Sequence, residues 1–436
     1  MRTSPVITIA MAALAAMATP ALAEIREMVC VLSGRQQVPV NASAGTGCGR
    51  FIVDTTANTL TYRIVRSALG SAESVAHIHG AAAPGVNAAV LHALPAGDIK
   101  TGVWTYPEAQ EANILNGLMY VNIHSSTFPG GEIRGQIVDM VAVLDGAQEV
   151  PANATTGGGF GLFNLNTTTN ELRYYISVTS LSAPESSAHI HGFSNYGVNA
   201  PVKFPLALGA LKTGVWNYAE SDEDSILSGL AYVNVHSSAF PGGEIRGQIT
   251  GFVNPMDRNQ EVPASNTSSM GCTFCTLDRP NNQLGFDVRT VLAGSIENAA
   301  HIHGFSAPGV NSAVKFGLPL GARKLGVWNY SAADEGQIEN SLSYVNVHTN
   351  VFAGGEIRGQ LYFRPLPVRC PWSTDGCFGD FNNDGGIDGD DVIAFFADWD
   401  ANRACADVNG DTGVDGDDVI AFFNAWDAGG VGFPGC

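Results

Sequence analysis

Short runs of β-branched and aromatic residues, separated by turns rich in Gly, Asn, Asp and Thr, make up most of this chain. The apolar runs at residues 51–53 and 60–65 flank a polar turn at residues 54–58, and this pattern predicts a β-hairpin. Further strands are predicted around residues 77, 90, 102–104, 120 and 131–135. Within residues 24–138, only residues 107–118, with Pro at the start and acidic residues in the first turn, predict a helix. About seven short antiparallel strands predict a Greek-key sandwich or barrel.

The same pattern occurs three times with a period of 112 residues. A Gln-x-Val-Pro element opens each copy, at residues 36–39, 148–151 and 260–263. A repeat of this length predicts a mostly β protein with three tandem domains, because it matches the commonest domain size. The predicted divisions are a signal peptide at 1–23, repeats at 24–138, 139–250 and 251–364, a linker at 365–376 and a small acidic domain at 377–436.

The amino terminus has the pattern of a secretory signal peptide. Arg2 precedes an apolar run at residues 6–18, and Ala21-Leu22-Ala23 forms a cleavage site before Glu24. The run is too short to span a bilayer comfortably, and no later stretch is long and apolar enough to do so. The sequence therefore predicts a secreted or cell-surface protein without a transmembrane segment.

The eight cysteines are consistent with export, because disulfides persist outside the reducing cytosol. We expect Cys30 to pair with Cys48, and Cys272 with Cys275. The sequence alone does not fix this connectivity. Two further pairs are expected among Cys370, Cys377, Cys405 and Cys436.

Negative charge is concentrated at the carboxyl end. Of the formal net charge of −19, −13 lies from Cys370 onward, where fourteen acidic residues accompany one basic residue, Arg403. The repeats are only mildly acidic and have no basic patch, which argues against a nucleic-acid partner.

Nine of the ten histidines form one motif in each repeat, a His-x-His pair followed 45 residues later by a third histidine. Strand geometry places His77 and His79 on one face and Ile78 on the other, which makes Ile78 a core residue. His124 lies on a second predicted strand, so the three imidazoles can converge on the outer side of the sheet. Three neutral imidazoles with an open position suit copper or zinc. The motif residues are His77, His79, His124, His189, His191, His236, His301, His303 and His348.

A second interpretation of this motif is structural. Imidazole rings also hydrogen-bond to loop carbonyls, and a recent duplication would preserve histidines without a function. The sequence leaves both interpretations open. The tenth histidine, His92, has Phe204 and Phe316 at its equivalent positions, so no role is predicted for it.

A Gly-Gly-Glu-Ile-Arg-Gly element recurs at residues 130–135, 242–247 and 354–359. We expect Glu132 and Arg134 to tie loops to their strand, and binding of an outside ligand is the alternative. Ser-His-Asp spacing, a nucleophile elbow and a phosphate loop are missing from the sequence of the repeats. The repeats therefore favour a non-catalytic protein.

Three elements together resemble the CHRD domain, named for chordin. They are Ala-His-Ile-His-Gly at 76–80, Tyr-Val-Asn-x-His at 120–124 and Pro-Gly-Gly-Glu-Ile-Arg-Gly-Gln at 129–136. The resemblance covers nearly all of residues 24–365 and implies extracellular β domains. The His-x-His strand is also similar to that of copper/zinc superoxide dismutase, which implies that His77, His79 and His124 stand in for three copper ligands. Each repeat lacks the further histidines of the dismutase metal sites.

The tail contains two segments with the ligand spacing of a calcium loop. Residues 380–391 offer side-chain oxygens at the first, third, fifth, ninth and twelfth places and a backbone carbonyl at the seventh. The segment recurs 27 residues on, and each copy runs into a predicted amphipathic helix. So many carboxylates repel one another without cations, so we expect two calcium ions whose binding is coupled to folding. The predicted calcium residues are Asp380, Asn382, Asp384, Gly386, Asp388, Asp391, Asp407, Asn409, Asp411, Gly413, Asp415 and Asp418.

This tail resembles a type I dockerin, of the planctomycete type that ends in Gly435-Cys436. The resemblance implies attachment to a cohesin-like partner or to another cell-surface or matrix protein. As a whole, the sequence predicts an exported, non-catalytic binding or structural protein with a calcium-dependent attachment domain. Two alternatives are a copper-dependent redox protein and a component of a polysaccharide-degrading assembly.

Overall fold

The computed structural model describes residues 25–363, 379–382, 386–400, 404–409 and 414–427. The predicted signal peptide and the predicted linker lie outside these residues. The chain divides into two compact units, Met1–Arg364 and Pro365–Cys436. Within the part of the chain that the structure describes, no helix combines the length and hydrophobicity needed to cross a bilayer.

Each repeat contains eight antiparallel strands and one short helix. Repeat 1 consists of β1 (Ile25–Ser33), β2 (Thr46–Asp54), β3 (Thr59–Ser67), β4 (Glu73–His79), β5 (Val90–Leu94), β6 (Ile99–Thr105), α1 (Glu111–Leu115), β7 (Met119–Ser125) and β8 (Ile133–Ile137). Repeat 2 consists of β9 (Met140–Asp145), β10 (Gly158–Asn166), β11 (Glu171–Thr179), β12 (Glu185–His191), β13 (Val202–Pro205), β14 (Leu211–Asn217), α2 (Glu223–Leu227), β15 (Tyr232–Ser237) and β16 (Ile245–Gln248). Repeat 3 consists of β17 (Phe252–Met256), β18 (Met270–Asp278), β19 (Gln283–Val291), β20 (Glu297–His303), β21 (Val314–Gly317), β22 (Arg323–Asn329), α3 (Glu335–Glu339), β23 (Tyr344–Thr349) and β24 (Ile357–Gln360).

The strand order confirms the predicted mostly β, barrel-like fold. In repeat 1 it is β5-β4-β7-β8-β1-β2-β3-β6, and repeat 2 follows the same order with its own strands. In repeat 3 the corresponding strands form two four-stranded sheets, β17-β18-β19-β22 and β21-β20-β23-β24. An isolated β-bridge between Asp257 and Arg358 connects them. The predicted helix at residues 107–118 is shorter than expected. A 3-10 turn at Glu108–Gln110 leads into α1, which ends before Gly117 at a φ of 69°.

The first strand of each repeat is buried on both faces. In β1, Met28 and Cys30 point into the core of repeat 1, together with the fully buried Ile78. Val29 and Val31, on the opposite face, belong to a second apolar cluster that all three repeats share. Equivalent valines from each repeat, Val29, Val141 and Val253, are all buried in this cluster. The repeats, predicted as domains in series, therefore pack against one another around a common core.

Ion pairs join every repeat to both of the others. They are Arg26 with Asp139 at 2.6 Å, Arg63 with Asp257 at 2.5 Å, and Arg289 with Asp145 at 2.9 Å. The carboxylates of Asp139 and Asp257 are fully buried, so the two ion pairs that they form lie inside the interfaces between repeats.

The disulfide of the repeats differs from both predicted pairs. Cys48 is bonded to Cys272, while Cys30 and Cys275 are free and buried. Cys48 lies opposite Val31 in the ladder and faces the shared core, whereas Cys30 faces the core of repeat 1. The predicted Cys30–Cys48 bond would have had to cross the sheet. Three positions in a strand likewise separate Cys272 from Cys275, which places them on opposite faces.

The described part of the tail contains two helices, α4 (Gly389–Asp400) and α5 (Gly416–Asp427). Phe395 and Phe422 stack at a ring-centroid distance of 4.3 Å in the core between them. Cys405 is in a disulfide. Of the residues predicted for calcium or disulfides, Asp384, Asp411, Gly413, Cys370, Cys377 and Cys436 lie outside the described residues.

Candidate metal centres

The three histidines of each motif meet on the outer face of two paired strands. In repeat 1, β4 pairs with β7, and His77 lies opposite Asn122. The inward positions on these strands, including Ile78 and Ile123, are completely buried. Because these positions face the core, the histidines lie together on the opposite face of the sheet, as the alternation of side chains along a strand predicts.

The imidazoles lie close enough to bind one ion. In repeat 1, the ring centroids of His77 and His79 and those of His77 and His124 are each 5.5 Å apart, and those of His79 and His124 are 6.2 Å apart. One nitrogen from each ring lies within 4.8 Å of the other two. The same cluster occurs in repeats 2 and 3, whose residues are His189, His191, His236, His301, His303 and His348.

Backbone carbonyls determine which nitrogen each ring offers. His79 Nδ1 lies 3.0 Å from the oxygen of Ala88, and His124 Nδ1 lies 2.9 Å from that of Pro129. A carbonyl oxygen only accepts hydrogen bonds, so both Nδ1 atoms carry the proton and both Nε2 atoms keep a free lone pair. Metal-binding histidines are commonly oriented by such a second hydrogen bond.

The nitrogens that converge are buried and have no hydrogen-bond partner. They are Nε2 of His79 and His124 and Nδ1 of His77. The same nitrogens are without partners in both other repeats. There, the Nδ1 atoms of His191, His236, His303 and His348 lie 2.8–3.0 Å from loop carbonyls.

The surroundings of the triad favour the neutral form of two of its rings. Burial lowers the pKa of His77, and the charge of His124 lowers it further. Burial is also the largest cause that lowers the pKa of His79, whereas the hydrogen bond to Ala88 raises it. His189, His191, His301 and His303 have lowered pKa values, with burial as the largest cause. Neutral imidazole is the form that binds a metal ion.

An aromatic stack supports the ring of His79 from beneath. The ring of Tyr120 lies parallel to that of His79 at 4.9 Å, and the guanidinium of Arg134 lies 3.5 Å from the centre of the Tyr120 ring. The Tyr120 hydroxyl accepts a hydrogen bond from the backbone N–H of Ala88 at 2.9 Å. It thereby holds the residue whose carbonyl orients His79. This role of Tyr120 was not predicted, although its place in Tyr-Val-Asn-x-His, on the same strand face as His124, pointed to it.

The glutamate and arginine of the Gly-Gly-Glu-Ile-Arg-Gly element have the structural contacts that were expected. Glu132 is fully buried and accepts 2.6 Å hydrogen bonds from the Ser43 hydroxyl and from the backbone N–H of Gly70. Arg134 donates to the carbonyl of Val86 at 2.9 Å, in the loop between β4 and β5. Both residues therefore hold loops against the sheet.

His92 lies away from the triad. Its ring packs against Tyr62 and Trp104, and Phe204 and Phe316 make the corresponding contacts with tryptophans in the other repeats. It therefore has the packing role of a phenylalanine. Among the described residues, the three triads are the clusters of His, Cys, Asp or Glu with a geometry suited to a metal ion. A second metal site of the dismutase kind is not seen in that part of the chain.

Comparison with known proteins agrees with this repeating architecture. The CHRD domain model matches residues 28–137, 140–249 and 252–361. The chain belongs to the CHRD family. It is also similar to chordin of Xenopus laevis, with 27% identity over 171 residues. That match covers 34% of this chain and 18% of chordin, so the chain spans less than a fifth of its curated relative. The histidine triads lie within the three CHRD repeats.

Proposed function

We propose that this protein is an exported, non-catalytic binding protein in which each CHRD repeat holds one copper or zinc ion. The observation that carries the proposal is the convergence of three buried, unpartnered imidazole nitrogens within 4.8 Å, three times in one chain. Three imidazoles leave a coordination position open, which suits either metal. CHRD membership and the similarity to chordin support a binding role outside the cell.

Metal binding explains the unpartnered imidazole nitrogens better than a purely structural role of the histidines does. Hydrogen bonds to loop carbonyls use only the Nδ1 atoms of His79 and His124. The opposite nitrogens of these rings and Nδ1 of His77 would remain buried without partners, which is unfavourable for polar atoms. A bound ion satisfies all three lone pairs at once. The ligands in repeat 1 are His77, His79 and His124, and their equivalents serve in the other two repeats.

The tail supplies a calcium-dependent attachment in this proposal. The Asp391 carboxylate accepts hydrogen bonds from the backbone N–H groups of Asn382 and Asp388, and Asp418 does the same for its own loop. Trp399 donates to the carbonyl of Asp415 in the opposite loop. These contacts favour two loops folded together around calcium, with a cohesin-like, cell-surface or matrix protein as the partner.

The metal proposal is tested by counting ions on the full chain. With calcium kept saturating, copper and zinc are titrated separately and bound metal is measured after desalting. We expect three transition-metal ions per chain, and two in the variant H189A/H191A/H236A. His92→Phe is the matched control, since it removes the tenth histidine and should leave three ions. Absence of stoichiometric binding, or a count that the triple change leaves the same, would refute the proposal.

A further inference from the structure

Arg134 is a buried cation beside a cavity. Its side chain is only 1% exposed, and it lines a space of about 270 Å³ between repeats 1 and 2. Its guanidinium donates to the carbonyl of Val86, to Oδ1 of Asn87 and to Oε1 of Gln136. All three acceptors are neutral, and these bonds use three of the five N–H groups. A buried charge is costly unless an opposite charge accompanies it.

The other two repeats provide that opposite charge. Arg246 and Arg358, equivalent to Arg134, are also buried. Burial lowers the pKa of both arginines. The negative charge of Glu149 opposes this effect at Arg246, and that of Glu261 opposes it at Arg358. In repeat 1 the equivalent position holds Gln37, whose amide donates to Oδ1 of Asn122. Among the described residues, no carboxylate forms an ion pair with the Arg134 guanidinium, and its hydrogen bonds go to neutral groups.

The cavity has the lining of an anion site. The exposed cation Arg35 stands at its edge, and the hydroxyl-bearing residues Tyr175 and Ser177 form its far wall on repeat 2. Tyr175 is close enough to Arg134 for that charge to act on its hydroxyl. No Asp or Glu is found among the described residues that line it.

The space next to Arg246 in repeat 2 is filled differently. Tyr196 occupies the position that Pro84 has in repeat 1, and its side chain is buried beside Arg246. Repeat 1 therefore combines a missing carboxylate with an open cavity, whereas repeat 2 has both the carboxylate and a filling side chain.

We propose that the cavity between repeats 1 and 2 binds a small oxyanion, which takes the place of the missing carboxylate beside Arg134. The planar guanidinium matches the geometry of a carboxylate, sulfate or phosphate group, and hydroxyl donors complete its coordination. The site borders the triad of repeat 1, since Arg134 stacks on the Tyr120 ring that packs against His79, but it uses different residues.

Sulfate and acetate serve as probes on the full chain. Each is titrated by calorimetry at pH 8, with chloride holding the ionic strength constant, and comparison of the two separates an inorganic oxyanion from a carboxylate. We expect one saturable site for at least one probe. Gln37→Glu should weaken its binding at least about tenfold, because the new carboxylate neutralises Arg134. This variant should fold, since both other repeats carry Glu at this position.

Two further variants make the result specific. Arg35→Gln should also weaken the binding, because it removes the cation at the edge of the cavity. Glu149→Gln, the matched exchange in repeat 2, should leave it unchanged, because Tyr196 fills the space there. Wild-type protein that takes up neither probe beyond the chloride control, or Q37E protein that binds as tightly as the wild type, would overturn the proposal.

Discussion

Cys48 in repeat 1 and Cys272 in repeat 3 are covalently joined across a sequence separation of 224 residues, beside the core that all three repeats share. A crosslink that closes so long a loop restricts the unfolded chain strongly. We expect the variant C48S/C272S to lose about 2–5 kcal/mol of unfolding free energy. Urea denaturation followed by tryptophan fluorescence measures this loss. In reductant, the wild type and the variant should converge, and equal midpoints without reductant would contradict the prediction.

The hydroxyl of Tyr120 should contribute to metal affinity in repeat 1. Tyr120→Phe keeps the ring beneath His79 but removes the hydrogen bond from the backbone N–H of Ala88, and the carbonyl of Ala88 orients His79. We expect one of the three metal-binding steps to weaken by about tenfold or more. Competition with a chromogenic chelator measures the affinities. Tyr106→Phe is the control, because that hydroxyl bonds to Asp54 and Glu111 instead. Equal affinities in both variants would count against the orienting role.

Two buried glutamates should make stability depend on pH. Burial is the largest cause that raises the pKa of Glu149 and of Glu261 to about 7, from an ordinary value of 4.5, and Arg246 and Arg358 oppose it. A carboxyl whose pKa is higher in the folded state stabilises the fold fully below pH 4.5, and this contribution disappears as the pH rises through 7.

Glutamine at these positions should therefore remove that dependence. We expect the free energy of unfolding of E149Q/E261Q, relative to that of the wild type, to rise by up to about 3 kcal/mol per residue as the pH increases from 5 to 8. Urea unfolding at the two pH values measures the gain, and Gln37 shows that repeat 1 already accepts an amide here. A difference between wild type and variant that is the same at both pH values would show that these carboxyls do not titrate with raised pKa values.

Calcium binding in the tail should depend on Asp391. Its buried carboxylate accepts hydrogen bonds from two backbone N–H groups of its loop, at Asn382 and Asp388. We expect two calcium ions on the wild-type chain and one on D391N, counted by calorimetry after chelator treatment. Circular dichroism should show a gain of helix on calcium addition. Asp390→Asn, an exposed neighbour, should keep both ions. Full helix in chelator would contradict the coupling of binding to folding.

Strand alternation was sufficient to predict part of the site. It placed Ile78 in the core and the histidines together on the opposite face, and both placements are seen in the structure. The carbonyls of Ala88 and Pro129 that orient the rings could not be predicted in this way. They belong to loops, whose backbone directions depend on contacts distant in sequence.

The packing of the repeats was missed for a different reason. The run Met28-Val29-Cys30-Val31-Leu32 is apolar at every position, which is typical of a strand buried on both faces. This run was not among the predicted strands, so a second core was not predicted. The two incorrect disulfide pairs follow from the same omission, because Cys48 and Cys272 meet only when repeats 1 and 3 are in contact.

The disulfide shows what a single chain permits that an assembly of identical subunits does not. At the three equivalent positions of the shared core stand Cys48, Phe160 and Cys272. A homotrimer must place the same residue at all three, and would leave one thiol without a partner. Fusion of the repeats lets two positions form a bond while the third holds an aromatic ring. Each repeat can therefore specialise without disturbing the other two.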